Sequence, residues 1–169
     1  MIYHSIQLNN SQDIEQLRQQ IAVQNQAVLL DSPEFNHQHR FSYFAFEPEK
    51  LLQVNNNNYQ TEGFKLPKNH QQNPFKAIKY LLSLYSKPSI DNKFQFEGGI
   101  MGYFGYHLVN ERPNTFKRDD LSLPELWLGY YPVVMVLEHQ PKLVHIAGLP
   151  HQQSKADKLK AWIDSVLSA

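Results

Sequence analysis

Four glycines, Gly98, Gly99, Gly102 and Gly105, fall within eight residues of an aromatic-rich stretch. The first chemistry such a cluster suggests is anion binding by backbone N–H groups at a helix start. The spacing G-G-x-x-G-x-x-G matches neither G-x-G-x-x-G nor G-x-x-x-x-G-K-[ST], and no Lys, Ser or Thr comes directly after Gly105. The cluster therefore reads as structural, since dense glycines in a strand mark bulges or points where another backbone or a ligand comes close. His37 and His39 stand two apart beside Asp31 and Glu34 and can present imidazoles on one side of an extended segment. They have no clear third ligand, so solvent-facing side chains are expected and no metal site is assigned. His107 has no Ser or Cys nucleophile in a recognisable local motif. The carboxylate pairs Asp119-Asp120 and Glu47/Glu49 lie in polar stretches and read as solvated surface. No catalytic residue follows from these groups. Phe41, Tyr43, Phe44, Phe46, Tyr103, Phe104 and Tyr106 have the ring faces to stack bases. No basic stripe accompanies them, and core packing is the better reading.

Charge and composition narrow the classes further. Sixteen Lys and Arg balance sixteen Asp and Glu, which leaves no basic footprint for a nucleic-acid backbone or an anionic membrane. The absence of cysteine excludes a disulfide framework, a thiolate nucleophile and Cys-ligated metal. Apolar runs such as Tyr130 to Leu137 are far below the roughly 18 residues of a membrane span. Residues 1–20 lack the basic start and apolar stretch of a signal peptide. A cytoplasmic protein is expected. At 169 residues the chain suits one domain, 1–169, with a single core.

The elements that must position these side chains can be read from periodicity. Ser11 as cap, Asp13 and Glu15 in the first turn, and Ile14, Leu17 and Ile21 at helical spacing predict a helix over about 11–24. Residues 27–30 read as a buried strand closed by Asp31-Ser32-Pro33, and 40–46 as a second, stopped at Pro48. Residues 51–54 read as a third strand, ending in an Asn run that makes a solvated turn. Asn73-Pro74 starts a helix over about 74–86. Two polar segments, 87–93 and 112–124, read as loops around the glycine-aromatic strand. Residues 126–137 and 142–147 look like a hairpin of long strands. A last helix begins near Ser154, with Asp157 completing a weak capping box. The sum is an α+β domain with a largely antiparallel sheet and about three packing helices.

The order of these motifs resembles a known family. Leu29-Leu30-Asp31-Ser32, then Arg40-Phe41-Ser42 running to Pro48, then Phe96-Glu97-Gly98-Gly99-Ile100-Met101-Gly102-Tyr103-Phe104-Gly105-Tyr106 and Leu123-Pro124-Glu125 look like the N-terminal region of component I of the para-aminobenzoate (aminodeoxychorismate) and anthranilate synthases. The likeness spans about residues 27–148, and F-x-G-G-x-x-G-Y-F-G-Y is its most specific part. The short lead before Leu29 and the run from Pro124 to Tyr131 are closer to the aminodeoxychorismate branch. Anthranilate synthases usually carry Glu where Asp31 stands.

This resemblance implies a longer parent protein. Family members carry a C-terminal chorismate-binding region holding the magnesium-binding glutamates. The chain ends at Ala169, where that region would begin, so it is expected to be a non-catalytic N-terminal part with no synthase activity or cofactor of its own. Implied partners are the chorismate-binding region and a glutamine amidotransferase subunit that delivers ammonia. The resemblance also implies a tryptophan pocket to which Ser32, Arg40 and Phe41 contribute. On chemical grounds Ser32 can hydrogen-bond a polar head, Arg40 can offer a charge-assisted contact, and Phe41 can pack on an indole. Equally, Arg40 can satisfy local carbonyls and Phe41 can be core. A free-standing small-molecule binding or regulatory module is the reading from another class. Ser32 and Arg40 are expected at adjacent strand ends.

Overall fold

The computed structural model of the chain describes residues 1–32, 40–85, 93–105, 108 and 123–168. His37, His39, Glu34, Tyr106, His107 and Asp119-Asp120 lie outside the described residues, as does most of each expected polar loop. Among the described residues nine strands form two antiparallel sheets accompanied by three α-helices, the α+β class expected. Length alone leads one to expect a single core, yet the chain builds two compact units. One comprises Met1–Pro48, Ile90–Gly99 and Tyr131–Ala169, and the other Glu49–Ser89 and Ile100–Tyr130.

The first unit contains β1 (Ile2–Gln7), α1 (Ser11–Ala22), β2 (Val28–Leu30), β3 (Phe41–Ala45), β8 (Val133–Glu138), β9 (Leu143–Gly148) and α3 (Gln153–Leu167). Its sheet runs β1-β9-β8-β3-β2. Strand alternation sends Phe44, Met135, Leu137, Val144 and Ile146 to one face. There they meet Ile14, Leu17 and Ile21 of α1 and Ala156, Ile163 and Val166 of α3. The two helices supply complementary apolar stripes because their buried residues recur at three- and four-residue spacing. The cap of α1 is Asn10, not Ser11: Asn10 is extended, and its side chain accepts the N–H groups of Gln12 and Asp13. Ser11 is already helical. Ser154 caps nothing either, since α3 begins at Gln153 and its Asp157 takes a hydrogen bond from the Gln153 amide at 2.8 Å.

The second unit contains β4 (Lys50–Asn55), β5 (Asn58–Glu62), α2 (Pro74–Ser83), β6 (Gly99–Phe104) and β7 (Leu126–Tyr131). Its sheet is ordered β5-β4-β7-β6, and α2 contributes Ala77 and Leu81 to a core with Leu52, Val54, Leu126 and Leu128. Asn73 caps α2 and Pro74 opens it, as the sequence indicates. The Asn run hides a strand. Asn56 and Asn57 both take left-handed φ values, 51° and 60°, making the two-residue turn of a β4–β5 hairpin in which Asn55 faces Asn58. The expected single strand over 126–137 is two strands in different sheets. Pro132, which has no N–H for a ladder, separates β7 from β8.

The glycines allow close backbone approach. Gly102 sits at φ +154° where a Cβ would run into the Trp127 carbonyl of β7. Gly105 donates its N–H to the Glu125 carbonyl at 2.7 Å. In the first unit Gly98, at φ +115°, leaves only 3.0 Å between an added Cβ and the Pro132 carbonyl. A Gly102→Ala variant must move β6 off β7 as well as bear the φ strain, so it should lose about 2 kcal/mol or more, read as a lowered urea midpoint.

Candidate functional site

Ser32, Arg40 and Phe41 all lie where β2 and β3 end. The two strands pair antiparallel, with Leu30 opposite Tyr43, so the chain leaves β2 at Asp31-Ser32 beside the start of β3. Adjacent strand ends, expected from the short connection, are what the register produces. The contacts of the three residues nonetheless divide between the two faces of the sheet.

On the helix-covered face Ser42, fully buried, forms a hub. Its Oγ donates to Asp31 Oδ1 at 2.7 Å, accepts the Ser32 N–H at 2.9 Å and lies 2.8 Å from His139 Nε2. A hydroxyl has one proton, and here the carboxylate takes it, so His139 must carry hydrogen on Nε2. Asp31 Oδ1 also accepts a hydrogen bond from Arg18 Nη2 of α1 at 3.0 Å, and Asp31 Oδ2 forms an ion pair with Arg18 Nε at 2.8 Å. Burial alone would push the Asp31 carboxyl up, but the hydrogen bonds from Ser42 and Arg18 and the Arg18 charge outweigh it and hold the carboxyl below its ordinary value. Burial, then the Arg18 charge, pulls the His139 imidazole below its ordinary value against the attraction of Asp31. Ser32 is thereby fixed through its backbone.

On the opposite face Arg40 and Phe41 meet a second polar set. Arg40 Nε donates to Glu138 Oε1 at 2.8 Å and its Nη2 pairs with the same oxygen. Glu138 Oε2 lies 2.9 Å from His145 Nε2, and His145 Nδ1 lies 2.7 Å from Ser5 Oγ. With the ring hydrogen facing the carboxylate, Nδ1 is left as acceptor for the Ser5 hydroxyl. These four residues belong to β1, β9, β8 and the residue preceding β3, which are neighbours in the sheet. Glu138 is 6% exposed and His145 2%. Burial would raise the Glu138 carboxyl, but hydrogen bonds from His145 and Arg40, reinforced by the Arg40 charge, hold it below its ordinary value. Above this ladder Phe41 meets Phe94 edge-on at 5.6 Å, Phe94 lies 4.8 Å from the His145 ring, and the Arg40 guanidinium sits 5.1 Å from the Phe41 ring centre.

Arg40 therefore spends two of its nitrogens on a buried carboxylate, neither on carbonyls nor wholly on a ligand. Its side chain stays 59% exposed, and Nη1 makes no described contact. Sequence reasoning missed Ser42, Glu138, His139 and His145. The available signal was His145, a lone polar residue within the otherwise apolar strand of residues 143–148. Among the described residues no three His, Asp or Glu side chains gather as a metal site.

The pKa directions fix the pH profile. A depressed group contributes stability that is complete above its unfolded value and is lost as pH falls through the folded one. Stability should fall first below about pH 6.5, from His139, and again below about pH 4.5, from Glu138 and then Asp31. Ser42→Ala should cost about 2 kcal/mol at neutral pH, and the share owed to the Asp31 carboxylate should vanish once Asp31 is protonated. Urea unfolding across pH checks both; a flat profile contradicts them.

No family model matches the chain. It is 27% identical over 142 residues to anthranilate synthase component 1 of Thermus thermophilus, covering 82% of this chain and 29% of that one. To aminodeoxychorismate synthase component 1 of Escherichia coli it is 25% identical over 143 residues, 82% of this chain and 31% of the other. Anthranilate synthase component I from Streptococcus pneumoniae has the same fold over 82% of this chain and 31% of its own, with a TM-score of 0.53 at 18% identity. The chain spans between about a sixth and a third of the length of the curated relatives it matches. Its homologues are the component I proteins of these two synthases, and they match in their N-terminal region.

Proposed function

We propose that the chain is the non-catalytic N-terminal part of an aminodeoxychorismate synthase component I, with Arg40 and Phe41, and Ser32 at the adjoining strand end, as its contribution to a tryptophan-type pocket. The observation that carries the reading is that about four-fifths of the chain aligns with a component 1 protein of each branch. Asp31, standing where the anthranilate branch usually has Glu, and the run from Pro124 to Tyr131 favour the aminodeoxychorismate branch. The parent enzyme would replace a chorismate hydroxyl with ammonia released from glutamine by an amidotransferase subunit. Magnesium would be held by the chorismate-binding region of such an enzyme, as the resemblance implies. The setting would be cytoplasmic; no helix among the described residues is long and apolar enough to cross a membrane.

For the pocket, Arg40 is held at the strand end by Glu138, with Nη1 available to an amino-acid carboxylate, and the half-buried Phe41 ring offers a surface to an indole. Placement of an anthranilate synthase among both the sequence relatives and the solved structures supports the sibling branch as a second reading. Disrupting the coding region in the native organism separates the two. The proposal expects growth to require 4-aminobenzoate and to be restored by it. Restoration by tryptophan would assign the sibling branch, and growth without either supplement would overturn the synthase reading in favour of a free-standing module.

A further inference from the structure

The helix-covered face of the first unit has a cleft that the pocket residues do not touch. Lys155, Lys158, Leu159 and Trp162 recur on α3 at i, i+3, i+4 and i+7, which places them along one stripe of the helix. With Phe46 after β3 and Met135 on β8 they line a cleft of ≈ 240 Å³. The Phe46 and Trp162 rings meet edge-to-face at 5.0 Å and 62°. Such a wall presents both a ring face and a ring edge to a flat occupant.

The cleft is lined by two lysines, Lys155 and Lys158, against one carboxylate, Glu47. Lys155 Nζ donates to the Glu47 carbonyl at 3.1 Å, and Glu47 itself is held at φ 52° with its N–H on the Asn25 carbonyl at 3.0 Å. One lysine is thereby pinned at the rim by a single bond, leaving two of its three ammonium hydrogens for another acceptor. Lys158, a turn further along, makes no hydrogen bond or ion pair with any described residue, and Glu47 pairs with neither lysine. Two ammonium groups three residues apart on a helix lie close enough to share one carboxylate.

Size restricts the occupant. The cleft falls below the roughly 300–1,000 Å³ usual for drug-sized ligands, which suits one ring rather than a peptide segment with several side chains. Its apolar floor disfavours a bare inorganic anion, whose whole surface needs polar partners.

We propose that this cleft binds a small one-ring aromatic carboxylate, the ring lying between Phe46, Leu159 and Trp162 and the carboxylate meeting Lys158 and Lys155. The proposal uses none of Ser32, Arg40 or Phe41 and stands or falls apart from the synthase reading. Benzoate is the probe, read by the fluorescence of Trp162 in the full chain carrying Trp127→Phe. Benzoate should give a saturable change with a Kd on the order of 0.1–1 mM. The neutral analogue benzyl alcohol should bind about tenfold more weakly. Lys158→Glu, at an exposed position that does not threaten folding, should weaken benzoate about tenfold and leave benzyl alcohol unchanged. No saturable change with folded protein, equal binding of acid and alcohol, or indifference to Lys158→Glu would each overturn the proposal. So would a dimer in sedimentation whose formation shields Trp162 from iodide, which would give the cleft to a second copy of the chain.

Discussion

A carboxylate buried among strands cannot stay ionised without partners, and Glu138 has two: the Arg40 guanidinium on one side and the His145 ring on the other. That requirement organises one end of the five-stranded sheet. Through His145 the set extends to Ser5 on the edge strand β1, and through Arg40 to the start of β3, so polar side chains link four neighbouring strand segments. Backbone ladders alone leave register to the hydrophobic pattern. Here the side chains add a second constraint, because a slip of β3 against β8 would part Arg40 from Glu138 and leave a buried charge unpaired. The cost of an unpaired buried charge makes such a ladder an instrument of specificity more than of net stability.

The same end of the sheet carries its counterpart on the other face. Ser42 collects Asp31, Ser32 and His139, and Arg18 reaches in from α1 to complete the set. Between them the two sets hold the start of β3 at Arg40 and at Ser42, from opposite faces of the sheet. Function-bearing groups at the margin of a rigid sheet are the common arrangement. The cleft beneath α3 lies on the helix-covered face, opposite Phe41.

Much of this was legible in residue order. Helix α2 announces itself through Asn73-Pro74 and its apolar spacing, and β2 and β3 through short apolar and aromatic runs bounded by Asp31-Ser32 and Pro48. What escaped had physical causes. Strand β5 is polar on one side and short, so Asn58 to Glu62 looks like a continuation of the Asn turn. The division at Pro132 is hidden by apolar residues on both sides, although proline's missing N–H is the clue. Ser42, Glu138 and His145 are dispersed across the sequence and meet only through the β3–β8–β9 pairing, so no local spacing reveals them. The likeness in motif order pointed to Ser32, Arg40 and Phe41, but it carried no hint that Arg40 is committed to a buried carboxylate.

The titration of the Glu138 carboxyl, followed by carbon-13 NMR on glutamate-labelled protein with Glu138→Gln assigning the signal, bears most directly on that commitment. An ionised carboxylate held by Arg40 and His145 titrates below the ordinary glutamate value of 4.5 and moves up when Arg40 is replaced by alanine. A Glu138 signal that titrates at or above that value, or is unmoved by Arg40→Ala, would contradict the account of the sheet end.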